Sequence, residues 1–246
     1  MATPHHQQRL RQKIVVVVVP FPAQSYPNQL LRFSHVLTSY NIPVHYVSST
    51  LHISQVKSRG SIPLQHLTKI QFHHFATPPF PCSPLNLVVR NKFPKHGFSF
   101  MKAITRLRQP IVVLLRSLSL TARRLVVVYD TLMVSVVKDV FSLANVESYS
   151  FDSASALSCF AFTCELFRNK EKWPLKDIPS GVSCFPYLFQ KFLADQMVLS
   201  KISKAGSLYN SCRAIEGSFL REIFAMDKFF GRKKIWQSGP YSKQRP

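Results

Sequence analysis

The chain has 246 residues, of which 46% are hydrophobic and 17% charged, and its formal net charge is +21. That length can bury one large core, and the composition excludes a wholly disordered chain. No apolar run approaches the roughly 18 residues of a membrane span, so no membrane helix is expected.

Residues 1–12 read as a loose polar tail. The basic flank and the apolar run behind it mimic a secretory signal, but the run is short and ends in Pro-Phe-Pro without a small-residue cleavage site. Ile14 to Val19 is a run of six β-branched residues without alternation, which predicts a strand buried on both faces of a parallel sheet. Pro20 and Pro22 stop it, since proline cannot donate to a ladder. Pro27 suits the first turn of a helix, and Leu30, Leu31, Val36 and Leu37 share one stripe of a helix over 28–40. The loop over 21–26 therefore joins the carboxyl end of a strand to the amino end of a helix, where open α/β sheets bind ligands.

Strands are expected over 43–48 and 69–72, with a short helix over 50–57 and a turn at Arg59-Gly60-Ser61. Five prolines between Pro78 and Pro94 predict a long irregular loop over 76–95, a length often associated with binding sites. Apolar residues at three- and four-residue spacing from Phe98 to Leu118 predict one long helix bent at Pro110. A buried strand over 124–129 follows, with Asp130 at its carboxyl end. Then come a helix over 132–141, a strand over 146–150, a helix over 154–167 and a proline-containing loop over 173–186. A helix over 188–201, a strand over 207–210, a helix over 214–224 and a strand over 234–237 complete the chain. This alternation predicts an α/β fold with a Rossmann-like, doubly wound, mostly parallel sheet.

None of the seven glycines forms GxGxxG or GxxxxGK[ST], so no glycine cradle for a dinucleotide or a triphosphate is present. There is no GxSxG elbow either. The five cysteines lack CxxC and zinc spacing and read as reduced thiols of a cytoplasmic protein. His5-His6 and His73-His74 have no carboxylates at ligand spacing and read as surface histidines, so no metal site is expected. Asp130 is more specific. It can cap the turn at Leu132 and Met133, or it can serve catalysis, and its position alone leaves both open.

The charge is unevenly placed: 16 of the 32 Lys and Arg precede Asp130, and none of the 11 Asp and Glu does. Such a basic half fits a polyanion partner, or a domain or fragment without its balancing acids. The cations are scattered rather than aligned on one helix, so specific nucleic-acid binding is not expected.

Four ordered motifs, PFPAQSYPNQLL, VVVYDTLMVSVVKDV, LYNSCRAIEG and KKIWQSGP, resemble the amino-terminal half of plant UDP-glycosyltransferases. Within that family the zeatin O-glucosyltransferase branch opens with PxPAQGHLNQLL. The resemblance runs from Ile14 to Pro240 and implies the GT-B fold, two Rossmann-like domains facing across a cleft. The amino-terminal domain would hold a small hydroxylated acceptor, such as a cytokinin-like adenine derivative, and the carboxyl-terminal domain the UDP-sugar. On this reading 1–12 is the tail, 13–240 the acceptor-binding domain and 241–246 the start of the interdomain linker. The donor domain, with its WAPQ, HxGWNS and DQ signature, is missing. No cofactor is implied, because the UDP-sugar is a substrate.

In the family, a histidine in the first loop takes the acceptor hydroxyl proton during direct displacement at the sugar's anomeric carbon. An aspartate about a hundred residues on orients that histidine. Asp130 falls on the aspartate position and Tyr26 on the histidine position. Gln24, Ser25, Asp130 and Ser153 are the expected acceptor contacts. A phenol with a pKa near 10 is a poor base at neutral pH, so the chain alone is expected to be catalytically incompetent. Two alternatives stand beside this: a half-enzyme completed by a separate donor-domain chain, and a basic polyanion-binding module.

Overall fold

Ile14–Val19 forms β1, and its residues alternate between two cores rather than between core and water. Val15, Val17 and Val19 enter one apolar cluster, and Val16 and Val18 enter another on the opposite face. The computed structural model describes residues 14–23, 26–59, 62–76, 101, 104–166, 185–200, 202, 205–229 and 235–237.

After β1 come α1 (Tyr26–Ser39), β2 (Val44–Ser49), α2 (Thr50–Arg59), the one-turn α3 (Leu64–Leu67) and β3 (Ile70–Phe75). The next group is α4 (Arg108–Thr121), β4 (Arg124–Asp130), a 3₁₀ turn (Thr131–Met133), α5 (Val134–Val137) and a second 3₁₀ turn (Lys138–Val140). The last is β5 (Val146–Asp152), α6 (Ala156–Leu166), α7 (Tyr187–Ser200), β6 (Gly206–Tyr209), α8 (Arg213–Phe229) and β7 (Ile235–Gln237). The seven strands form one sheet in the order β3-β2-β1-β4-β5-β6-β7. Every neighbouring pair is parallel. The order reverses direction between β1 and β4, which is the topological switch point of a doubly wound sheet.

Helices cover both faces. On one, Ile111 and Leu115 of α4 and Val134 and Val137 of α5 pack on the odd valines of β1. On the other, Leu30 and Leu31 of α1 and Ile53 and Val56 of α2 pack around the even valines, Tyr46 and Phe151. The fully buried stripe of α1 continues through Ser34 and Thr38, with Leu37 partly buried against the same core. Ser34 tolerates burial because its hydroxyl donates to the Leu30 carbonyl at 2.8 Å. The Tyr46 hydroxyl, on fully buried β2, donates to the Pro27 carbonyl at 2.7 Å and ties the start of α1 to the sheet.

Three expectations need correction. The long helix is interrupted at Leu107, not bent at Pro110. Pro110 is the third residue of α4, in the first turn, where its missing N–H costs no bond. The single helix expected over 132–141 is a 3₁₀–α–3₁₀ sequence, in which Val134, Val136, Val137 and Val140 are all buried. β-branched side chains lower helix propensity, and core packing holds these short turns instead. β3 runs on to Phe75, and His73 is not a surface histidine. Its ring stacks on that of His45, with centroids 5.0 Å apart, and one ring donates to the other at 2.8 Å between Nε2 and Nδ1. The loop predicted over 76–95 lies, from residue 77 on, outside the described residues. So do the tail over 1–12, most of the loop over 173–186, and 241–246.

Candidate functional site

β1 and β4 run in register, Ile14 opposite Arg124 and Val19 opposite Tyr129, so Asp130 extends one step beyond the last residue of β1. From there the chain leaves β1 through a tight turn. The Ala23 N–H donates to the Phe21 carbonyl at 2.8 Å, and the Tyr26 N–H to the Ala23 carbonyl at 3.1 Å. Tyr26 is then the first residue of α1, not the end of a loop, and Pro27 sits in the first turn. The Tyr26 ring meets Phe21 edge-on, with centroids 5.2 Å apart. Burial lifts its phenol from the usual 10.0 to about 12, and the neighbouring Asp130 and Cys159 add to the lift. At neutral pH Tyr26 is therefore a hydrogen-bond donor. Gln24 and Ser25 lie outside the described residues.

Asp130 is 1% exposed. Its Oδ1 accepts from the Leu132 N–H at 3.0 Å, and its Oδ2 from the Ser153 hydroxyl at 2.8 Å. The expected cap therefore exists, made with Leu132. The same carboxyl binds Ser153, the residue beyond β5, so capping and site geometry coincide. Burial pushes the Asp130 carboxyl from 3.8 to about 7. The Leu132 amide and the Ser153 hydroxyl pull against that rise, while Asp152 adds to it.

Three further ties hold the strand ends together, and local sequence pattern shows none of them. The Thr131 hydroxyl donates to Asp152 Oδ1 at 2.8 Å, which joins β5 to the turn behind Asp130. Asn210 Nδ2, after β6, donates to Gln29 Oε1 in the first turn of α1 at 2.8 Å. Glu216, near the start of α8, reaches back to the head of α6. Its Oε2 accepts from the Ala156 N–H at 3.0 Å and its Oε1 from the Leu157 N–H at 3.1 Å, while the Ser211 hydroxyl also donates to Oε2. The only sequence signal for this cap is the acid at the kink of α8, where Glu216 leaves helical geometry with φ −125° and ψ 25°.

Burial alone would raise the Glu216 carboxyl. Hydrogen bonds from Ser211, Ala156, Leu157 and Ser155 outweigh it and hold the group below its usual 4.5. Glu216→Gln is thus expected to cost about 1 kcal/mol in urea unfolding at pH 7, the usual value of a helix cap. A depressed carboxyl contributes stability above its unfolded pKa and loses it as pH falls through the folded one. The gap between the two proteins should accordingly close below pH 4.5. A constant gap down to pH 3 would show that the charge is not what the cap uses.

The site combines a half-protonated carboxyl on the sheet and a neutral phenol on the helix. It can orient an imidazole or a hydroxyl, but Tyr26, at the position where a histidine is expected, does not take a proton at pH 7 as a histidine would. Among the described residues no group of three or more His, Cys, Asp or Glu is placed to hold a metal ion. No helix among them is long and apolar enough to cross a membrane.

Comparison with known proteins gives one consistent picture. Residues 12–243 match the family described as "Glycosyltransferase, N-terminal domain". The chain is 37% identical over 235 residues to zeatin O-glucosyltransferase of Phaseolus lunatus, covering 94% of this chain and 49% of that protein. It is 36% identical over 235 residues to zeatin O-xylosyltransferase of Phaseolus vulgaris, with the same coverage of 94% and 49%. The chain therefore spans about half the length of the curated relatives it matches. Among solved structures it resembles Glycyrrhiza uralensis UGT73P12, with a TM-score of 0.68 at 17% identity over 93% of this chain and 49% of that one. It also resembles Arabidopsis thaliana UGT89C1 complexed with UDP-L-rhamnose, with a TM-score of 0.64 at 18% identity over 96% of this chain and 54% of that one. These likenesses extend to the Rossmann-like layout of the sheet, and the chain belongs to the glycosyltransferase amino-terminal domain family.

Proposed function

We propose that this chain is the acceptor-holding half of a UDP-glycosyltransferase, one that binds a small hydroxylated plant compound at the carboxyl edge of β1, β4 and β5. A cytokinin-like adenine derivative is the first acceptor to test, because two relatives that match it over 235 residues carry zeatin in their names. The observation that carries the reading is Asp130. It is buried at the end of β4 with Ser153 and Tyr26 around it, at the positions where the family's orienting aspartate, an acceptor contact and the base histidine are expected. In a complete enzyme the acceptor hydroxyl would attack the anomeric carbon of the UDP-sugar as a base withdraws its proton. Tyr26 does not supply that base, because a phenol near 12 is ionised in only about one molecule in 10⁵ at pH 7. The chain therefore binds its acceptor without transferring sugar to it, and it works in the cytoplasm, where UDP-sugars are at hand.

Calorimetry with zeatin at pH 7 is expected to give a saturable, single-site isotherm. Asp130→Ala should weaken it about tenfold, the worth of one hydrogen bond to a polar group in a buried site. Adding UDP-glucose should yield no glucoside above a heat-killed control. If neither zeatin nor a panel of hydroxylated plant compounds binds, the acceptor site is wrongly placed. If glucoside forms, Tyr26 is not a block.

A further inference from the structure

α1 crosses the sheet from one edge to the other. Its first residue, Tyr26, stands beside Asp130, and its last turn ends at Ser39, about 20 Å away at 1.5 Å per residue. There, at the edge opposite the acceptor site, α1 meets α3 and the turn ahead of β3 around a cavity of about 460 Å³. It is lined by His35, Thr38, Ser39, Gln65, His66 and Lys69. All six are polar and none is an acid, in a volume that suits a small molecule.

The negative end of α1 would normally oppose an anion at this place, but its carbonyls are already occupied. The Thr38 hydroxyl donates to the His35 carbonyl at 2.8 Å and the Ser39 hydroxyl to that of Val36 at 2.6 Å. The Tyr40 and Asn41 N–H groups bind the carbonyls of Leu37 and Thr38, each at 3.1 Å. Asn41, with φ 57°, is the left-handed residue that closes the helix. The donors around the cavity are matched less fully: the Gln65 amide and His66 Nε2 meet only each other, at 3.5 Å. Lys69 has no ion pair among the described residues. His35 Nδ1 is buried with no hydrogen-bond partner among them. Its ring stands edge-on to His66, with centroids 4.9 Å apart. Burial, and then the positive fields of His66 from α3 and Lys69 from the turn, hold the His35 imidazole below its usual 6.5. Among the described residues that line the recess, the charge is positive and no acid offsets it.

We propose that this recess is a second ligand site, separate from the acceptor site, which takes a small phosphate-bearing molecule. Lys69 would pair with one phosphate oxygen, and the Gln65 amide and the His66 and His35 imidazoles would donate to the others. Phosphate fits better than a carboxylate because it offers three acceptor oxygens and a second ionisation near pH 6, where imidazoles also titrate. A divalent metal fits worse, since it would share the recess with an ammonium and find no carboxylate to balance its charge. The proposal does not rest on glycosyl transfer.

The test uses the full chain with inorganic pyrophosphate as the probe, at pH 6 in 0.15 M salt, followed by calorimetry and by the imidazole C–H proton resonances. One equivalent is expected to bind, shifting the His35 and His66 signals among the nine histidines. Lys69→Ala should weaken binding at least tenfold, while Arg123→Ala, an equal loss of charge at an exposed site elsewhere, should change it less than twofold. Equal weakening by the two variants would show non-specific attraction to a chain of charge +21 and overturn the site. Silence of both histidine signals would overturn it too, as would a shift produced by zinc but not by pyrophosphate.

Discussion

Exchanging Tyr26 for histidine is expected to raise sugar transfer about 10²- to 10⁴-fold, the usual worth of a general base, once residues 1–240 are joined to the donor domain of an active relative. Residue 26 opens α1, Phe21 packs against its ring, and the buried Asp130 lies beside it. An imidazole, whose ordinary pKa is near 6.5, accepts a proton at neutral pH where the phenol donates one. As it becomes imidazolium it draws the Asp130 carboxyl into its charged form, since an opposite charge nearby favours ionisation. Asp130→Ala in the same chimera should therefore remove most of the gain. Pro27 is the remaining variable, because it restricts how the first turn of α1 is entered, and Pro27→Leu in both backgrounds controls for it. Equal transfer rates for tyrosine and histidine, with and without that control, would mean that residue 26 does not occupy the base position.

The second large effect is on stability, and it runs opposite to function. A carboxyl raised from 3.8 to about 7 means that the folded chain prefers the protonated form. Its contribution is fully present below pH 3.8 and is lost as pH rises through about 7. By linkage that loss is on the order of 4 kcal/mol. Asp130→Asn keeps the shape and the acceptor for the Leu132 N–H but has no proton to lose. Urea unfolding at pH 5, 6, 7 and 8 should then show the asparagine variant gaining on the parent up to about pH 7 and keeping that gain at pH 8. His35, His52 and His73, all held below 6.5, tilt stability the other way in this range. They are common to both proteins and cancel in the difference. Parallel pH profiles would show that Asp130 does not carry the linkage. A charge kept in the core at the expense of stability is what a functional site produces.

Much of this layout is legible in the chain because each signal is local. A valine run without alternation announces a doubly buried strand, and Asp130 stands at the end of another such strand. What the sequence hides depends on partners far along the chain. The helix expected behind Asp130 breaks into short turns because a buried face holds four valines there, and burial overrode the helical spacing. His73 looks like surface until β2 brings His45 against it, 28 residues away. Glu216 looks like an ordinary first-turn acid of its own helix, yet it caps another one 60 residues earlier. At the candidate site, the motif points to Asp130, and the structure adds that Ser153 donates to its carboxyl. The shift of Asp130 toward neutral pH is not legible in the motif, since it depends on how completely the surrounding elements exclude water.

β1 also has a history during synthesis. Its partner on one side, β2, with Val44 opposite Val16, follows it closely in the chain. Its other edge must wait for Arg124, opposite Ile14 and 110 residues further on. At 5 to 20 residues per second that wait lasts roughly 5 to 20 s. Throughout it, six uncharged β-branched residues with one unpaired edge present a segment suited to cross-β stacking. Lys13 and Pro20 flank the run, in the positions where gatekeeper residues limit such stacking. Replacing Lys13 and Pro20 with valine is therefore expected to lower the soluble yield of the chain, read as the soluble fraction on expression.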